Sequence, residues 1–344
     1  MKRRPFLSHA IFTAGLASLA ACMLPQSVLS QEASIKKTDP GSTVSGTGSG
    51  KTVRLLTIGN SFSANATRHL GDIVKAGGHT LIHRSLVIGG ASMQVHWDKA
   101  MLHEKNPKDP KGLYNFKQGL PAALSADKWD YVTIQQASIK SHDLATYQPY
   151  ATQLRDYVKK HAPQAELLVH ETWAYRKDDP RFSAKEPKPG DPRTQAEMYE
   201  MLRNAYRSIA RELGVSIIPT GDAMYLADTD PKWGFVGGEK FDPKTAKHPA
   251  LPDQKHSLHV GWVWRKKDGK TTLGMDGHHA NIAGEYLGGC VFYEVLFKES
   301  VVGNAFVPKG MDAEYVKFLQ ETAHKAVAAE RERVKGNAKE TRAE

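Results

Sequence analysis

Cysteine is nearly missing from this chain: 344 residues contain two, Cys22 and Cys290. Once a leader containing Cys22 is removed, one thiol remains, so no intramolecular disulfide is expected even in an oxidising compartment. Stability must come from packing. Cys290 sits in the apolar run Gly289-Cys290-Val291-Phe292 and reads as a buried structural thiol. Also missing are HExxH and paired Cys/His sets, so neither a metal nor any other cofactor is expected. Histidine is plentiful, but His96 with His103, and His256 with His259, fall at spacings that form no zinc set. A basic stripe with interleaved aromatics is lacking, which excludes the recognisable nucleic-acid modules. Ser45 stands where a phosphate loop ending in Gly50-Lys51-Thr52 would need glycine. No internal repeat is visible.

Apolar residues make up 40% and charged residues 24%, the balance of a soluble globular domain. Lys2, Arg3 and Arg4 precede the apolar stretch Ala10–Leu24, and Val28-Leu29-Ser30 suits a signal-peptidase cut, so residues 1–30 read as an export signal. Leu19-Ala20-Ala21-Cys22 offers the other reading, a lipoprotein signal with a lipid anchor at Cys22. The stretch is too short for a lasting transmembrane helix, and none is expected in the mature chain. The expected location is periplasmic or extracellular, with or without a membrane tether. Residues 31–51, rich in Gly, Ser and Thr, read as a flexible linker, 52–335 as one domain and 336–344 as a charged tail.

From residue 53 short apolar runs alternate with helical patterns. Strands are expected at 53–58, 80–88, 129–134, 166–170 and 215–218, and helices at 65–75, 147–161, 195–213, 280–296 and 311–334. Five strands alternating with helices imply a parallel sheet covered on both faces, a three-layer α/β/α flavodoxin-like domain. Ligands of such sheets lie beyond the carboxyl ends of the strands, where the turns at Gly59, Gly90 and Gln136 fall. Dense Lys/Asp/Pro insertions at 104–112, 176–193 and 228–269 read as surface excursions or binding edges.

Ser61 follows Gly59-Asn60 at a strand end and precedes a helix, which suits either a nucleophile near backbone N–H groups or a helix cap. Asp276-Gly277-His278-His279 puts a carboxylate three residues before an imidazole, a spacing that lets the aspartate hold one ring nitrogen while the other faces a serine. Together, Gly59-Asn60-Ser61-Phe62-Ser63, Ile88-Gly89-Gly90-Ala91-Ser92, and Asp276-x-x-His279 followed by Asn281-Ile282-Ala283-Gly284 resemble the SGNH (GDSL-type) hydrolase superfamily, over most of residues 53–297. The third block departs from it. Where the superfamily usually carries G-x-N-D, this chain has Ile134-Gln135-Gln136-Ala137-Ser138, which with Trp173-Ala174-Tyr175 is similar to a less characterised branch.

The resemblance implies Ser61 as nucleophile, His279 as base and Asp276 as its orienting acid. It implies an oxyanion hole from the amides of Ser61 and Gly90, with Gly89 as fallback, and a glutamine side chain, Gln136 before Gln135. Asn60, His96 and Trp173 are expected to contact substrate, with Tyr175 beside them. The implied activity is an exported esterase cleaving O-acyl groups, acetyl first, from carbohydrate, and the positive charge of +10 admits an anionic polysaccharide. The alternatives are an O-acyltransferase on glycans and a non-catalytic carbohydrate-binding surface protein.

Overall fold

The computed structural model describes residues 50–115, 117–237 and 241–343. The export signal, the lipid-anchor reading at Cys22 and the linker up to residue 49 lie outside the described residues. Strand β1 (Thr52–Gly59) is central, with Leu55, Leu56, Thr57 and Ile58 all buried, as expected of a strand covered on both faces. It pairs in parallel with β2 (Thr80–Val87) on one side and β3 (Tyr131–Ile134) on the other. Then follow β4 (Glu166–His170) and β5 (Ser216–Ile218), giving the order β2-β1-β3-β4-β5. This is the three-layer, doubly wound arrangement expected from the sequence.

Helices α1 (Ser61–Ala66) and α2 (Leu70–Ala76) follow β1 on one face. The expected single helix over 65–75 is broken after Ala66, where the Thr67 hydroxyl bonds back to the Ser63 carbonyl at 2.8 Å. Crossing from β2 to β3 puts α3 (Met93–Lys105) and α4 (Leu120–Leu124) on the opposite face, joined there by α5 (Tyr150–His161) and α6 (Gln195–Leu213). α6 is capped at its start by Thr194, whose hydroxyl accepts from Glu197 N, and at its end by left-handed Gly214. α7 (Thr220–Asp228) follows β5 and, like α3, was not anticipated.

The largest departure from the expected pattern is the hairpin β6 (His259–Lys267) and β7 (Lys270–Ala280), a sheet separate from the first. The reading of 228–269 as one insertion absorbed β6. Its turn, Asp268-Gly269, has both φ angles positive, at 50° and 77°, which matches the Asp-Gly signal of a two-residue hairpin. α8 (Ile282–Phe297) leaves the hairpin and is buried on nearly every side, against α1, α2, α7 and α9 (Ala313–Ala343). The α9 backbone stays helical through most of the stretch expected to be a charged tail.

His96 and His170 lie inside this core, and His83 is half-buried on β2. Burial pushes His83 and His96 down to about 4, and His170 down to about 3. The unfolded chain, with histidines near 6.5, takes up protons that the folded chain refuses. Their contribution is therefore complete above pH 6.5 and is lost as pH falls through 4. Thermal melts between pH 7.5 and pH 4.5 should show stability dropping by on the order of several kcal/mol; a melting temperature flat across that window would contradict this account.

Candidate active site

The carboxyl end of β1 turns directly into α1, and Asn60 makes the junction. Its Oδ1 accepts from Phe62 N at 2.9 Å and from Gln135 Nε2 at 2.8 Å, while its Nδ2 donates to Ala91 O at 2.9 Å. Gly59 has no room for a side chain, since a Cβ would lie 2.7 Å from Gln135 Oε1. That oxygen in turn accepts from the Ser63 hydroxyl and from His170 Nδ1. The turn is thus locked from beneath, and Ser61 is left half-buried at its tip.

The second half arrives on β7. His279 Nε2 lies 2.9 Å from Ser61 Oγ, and its Nδ1 lies 3.1 Å from both Asp276 carboxylate oxygens. Asp276 also accepts from His279 N at 3.2 Å and, at 2.7 Å, from Arg265 of β6. Burial alone would raise the Asp276 carboxyl, but the hydrogen bond from His279 and the neighbouring imidazoles hold it well below the usual carboxylate range. Asp276 is therefore an anion at neutral pH, so the proton between the two groups resides on His279 Nδ1, leaving Nε2 free to accept from Ser61.

What holds β7 in place is mostly the segment after β4. Trp173 donates to His278 O at 2.9 Å and packs on Phe62 with ring centroids 4.4 Å apart. Arg176 N donates to Gly277 O at 2.7 Å, and a Cβ on Gly277 would press against Asp179, 3.0 Å from its Cβ. Past the histidine, Ala280 N donates to Asn65 Oδ1 at 3.3 Å, and Asn65 Nδ2 donates to Glu285 Oε1 at 2.9 Å.

His278 is a neighbour, not the base. Burial and the nearby His279 push it down to about 4. Its Nδ1 lies 3.2 Å from Asp276 Oδ1 and 3.1 Å from Arg181 Nη2. Arg181 can only donate and the Asp276 carboxylate can only accept, so this nitrogen stands between a donor and an acceptor, and the tautomer of His278 decides which of them it serves. Asp276, His278 and His279 could offer three metal-ligand atoms within 4.8 Å of one another. Those atoms already face the guanidinium groups of Arg265 and Arg181, which a dication would have to displace.

Ser61 opens on a cavity of about 280 Å³, lined also by Gly90, Ser138, Tyr175, Arg181, His278 and His279. Among the described residues, the N–H groups of Ser61, Gly90 and Ser138 have no partner in the chain. Their residues line the cavity, which makes them candidate donors to an oxyanion there. Gly90 adopts φ 67°, which favours glycine, whereas Gly89 does not line the cavity.

The remaining expected site residues are placed elsewhere or fully engaged. Gln136 is buried, donating to Thr146 O at 2.8 Å and to its hydroxyl at 3.3 Å. Gln135 spends its two N–H groups on Asn60 Oδ1 and, at 3.4 Å, on Gln136 O. An amide has two N–H donors, and in both side chains they are engaged within the chain. Asn60 borders the cavity with both ends of its amide committed. His96 is 1% exposed, bonded to Gly59 O at 3.0 Å and to the Tyr114 hydroxyl at 2.8 Å, so it supports β1 and does not reach the cavity. Trp173, fully buried, positions β7 instead of lining the cavity. Arg265, Arg181, Ser138 and Asn65 were not anticipated. Only Arg265 had a local signal, the alternating pattern before Asp268-Gly269.

The sequence profile of DUF4886, a domain of unknown function, matches residues 54–232. The chain belongs to this family. The DUF4886 match covers Ser61 and stops short of the hairpin that carries Asp276 and His279. A DUF4886 protein from Bacteroides uniformis has a solved structure with 25% identity and a TM-score of 0.61, over 80% of this chain and 95% of that one. Other solved structures include a candidate SGNH hydrolase from Slackia heliotrinireducens (20% identity, TM-score 0.43, 71% of this chain and 98% of that one). Another is a candidate GDSL-like lipase from Parabacteroides merdae (13% identity, TM-score 0.38, 73% and 98%). These last two likenesses extend no further than the fold. No curated protein matches the chain.

The Gln135 network yields a test. Gln135→Leu should take one of two donors from Asn60 Oδ1 and strand the Ser63 hydroxyl and His170 Nδ1, destabilising the DUF4886 domain by about 2–4 kcal/mol in urea unfolding. Unchanged stability with lost activity would instead return this side chain to the oxyanion hole.

Proposed function

We propose that this DUF4886 protein is a serine esterase of the SGNH type that hydrolyses O-acyl esters, acetyl first, on carbohydrate. The observation that carries this reading is the unbroken chain of contacts from Ser61 Oγ through His279 to Asp276, at 2.9 Å and 3.1 Å, between residues more than two hundred positions apart. A structural hydroxyl has no need of a buried, Arg-supported carboxylate behind its histidine, nor of unpaired N–H groups around it.

In the reaction, Ser61 Oγ attacks the ester carbonyl carbon as its proton passes to His279 Nε2. The carbonyl oxygen becomes an oxyanion, held by the N–H groups of Ser61, Gly90 and Ser138. When the carbon–oxygen bond to the alcohol breaks, His279 returns the proton to the departing oxygen. A water then gives its proton to His279 and attacks the acyl-serine, releasing the carboxylic acid and restoring Ser61. Asp276 keeps His279 in the required tautomer and offsets the imidazolium charge throughout. Residues 1–30 support the further proposal that the enzyme acts outside the cytoplasm, where acylated polysaccharides are met.

Purified protein should release 4-nitrophenol from 4-nitrophenyl acetate and acetate from acetylated xylan, while Ser61→Ala and His279→Ala should do neither. Asp276→Asn should retain the fold and lose activity by about 10⁴-fold, because the histidine then presents the wrong tautomer. Equal hydrolysis by wild type and Ser61→Ala would remove the serine mechanism.

A further inference from the structure

Next to the Ser61 cavity lies a larger cleft of about 440 Å³, and the two share Ile139, Tyr175 and Arg181 as a common wall. The smaller space, about 280 Å³, has room for the reacting ester and a short acyl group; the larger falls within the roughly 300–1,000 Å³ of small-molecule sites. Its outer wall belongs to the 176–193 insertion, which contributes Phe182, Ala184, Pro187 and Pro192, with Met198 of α6 behind them.

The position of the cleft relative to the histidine decides which half of an ester it takes. The departing alcohol oxygen must lie within reach of His279 Nε2 to recover its proton, so the alcohol sits on the histidine side of Ser61 and the acyl group on the other. Arg181 forms the shared wall and donates to Nδ1 of His278, the residue adjoining the base. It also lies 3.9 Å over the Tyr175 ring, whose hydroxyl is 3.0 Å from Ser138 Oγ. Through Arg181 this wall adjoins the imidazole pair, the edge of the cavity toward which the alcohol would depart. Gly90 and Ala137 bound only the smaller cavity.

The lining suits a particular kind of alcohol. The floor is apolar and aromatic, with Tyr175, Phe182 and Met198 buried. At the rim stand Lys140, Lys188 and Glu186, none of them in an ion pair among the described residues. Hydroxyl groups both donate and accept, and a sugar ring presents carbon faces with hydroxyls at its edge. A rim carrying both signs does not select for a polyanion.

We infer that the cleft between Tyr175, Arg181 and the 182–192 segment is the leaving-group subsite, which binds a neutral glycosyl alcohol and makes the enzyme selective for the alcohol half of the ester. The inference rests on the esterase reading of Ser61. The enzyme then discriminates strongly among acetates of different alcohols and tolerates acyl groups only as far as the smaller cavity allows.

The test compares wild type with Phe182→Ala, which opens the floor, and Ala184→Trp, which fills the cleft from a half-buried loop position. Each is assayed on acetylated xylobiose, on ethyl acetate, and on 4-nitrophenyl esters of increasing acyl length. The expected result is at least a tenfold fall in kcat/KM for acetylated xylobiose relative to ethyl acetate in both variants, with the order of acyl preference kept. A changed acyl-length preference at an unchanged alcohol ratio would overturn the assignment by making the cleft an acyl pocket. Titration of Ser61→Ala with unacetylated xylo-oligosaccharide separates the inference from the reading beneath it. If wild type hydrolyses no ester but the sugar binds and Ala184→Trp abolishes binding, the cleft stands as a sugar site while the esterase reading, and with it the leaving-group role, fails. If the sugar neither binds nor is released from its ester, both fall.

Discussion

The packing of α1 on α8 brings the reactive groups together. Ser61 begins the first helix and His279 is the penultimate residue of the strand that leads into the second, so the contact between these helices helps to set the distance between hydroxyl and imidazole. Gly288 lets them approach closely: a Cβ there would sit 2.8 Å from Ala66 Cα. Asn65 fixes the register, holding Ala280 N with its oxygen and Glu285 with its nitrogen. Arg68 reaches the same carboxylate at 3.1 Å. A glycine contact and an asparagine clamp thus convert a remote pairing in sequence into a 2.9 Å one in space.

Much of the fold could be read from the sequence because its signals are local. The five strands of the main sheet are short apolar runs ended by turn residues, and the 166–170 and 195–213 elements have the expected bounds. α3 was hidden because His96, Asp98, Lys99 and His103 interrupt its apolar spacing; His96 is buried all the same by bonding Gly59 O and Tyr114. The hairpin was hidden by the dense Lys/Asp/Pro composition before it, despite its Asp-Gly turn.

At the site, serine, histidine and aspartate were legible through spacing and through the superfamily resemblance. The direction of the two glutamine side chains was not. Gln135 and Gln136 carry the right chemical group in the right block, but the direction of an amide is set by surroundings that a linear pattern does not encode. Here those surroundings are Asn60, Ser63 and His170 for one, and Thr146 and the start of α3 for the other. Trp173 was misplaced for a related reason: an aromatic face serves a pocket or a core equally well, and its indole N–H is spent on His278 O.

His279 and Asp276 ride on a two-stranded ribbon that shares no ladder with the main sheet. Its attachment to the rest consists of discrete ties, such as Trp173 to His278 O, Arg176 to Gly277 O and Ala280 to Asn65, and not a continuous row of backbone pairs. A hairpin held by discrete ties has fewer backbone bonds to the rest of the fold than the strands of the sheet have to one another, and local opening free energies differ across a structure. The free energy that holds the Ser61–His279 contact together can then differ from that of global folding. On warming, the serine would lose its partner while the five-stranded sheet still stood.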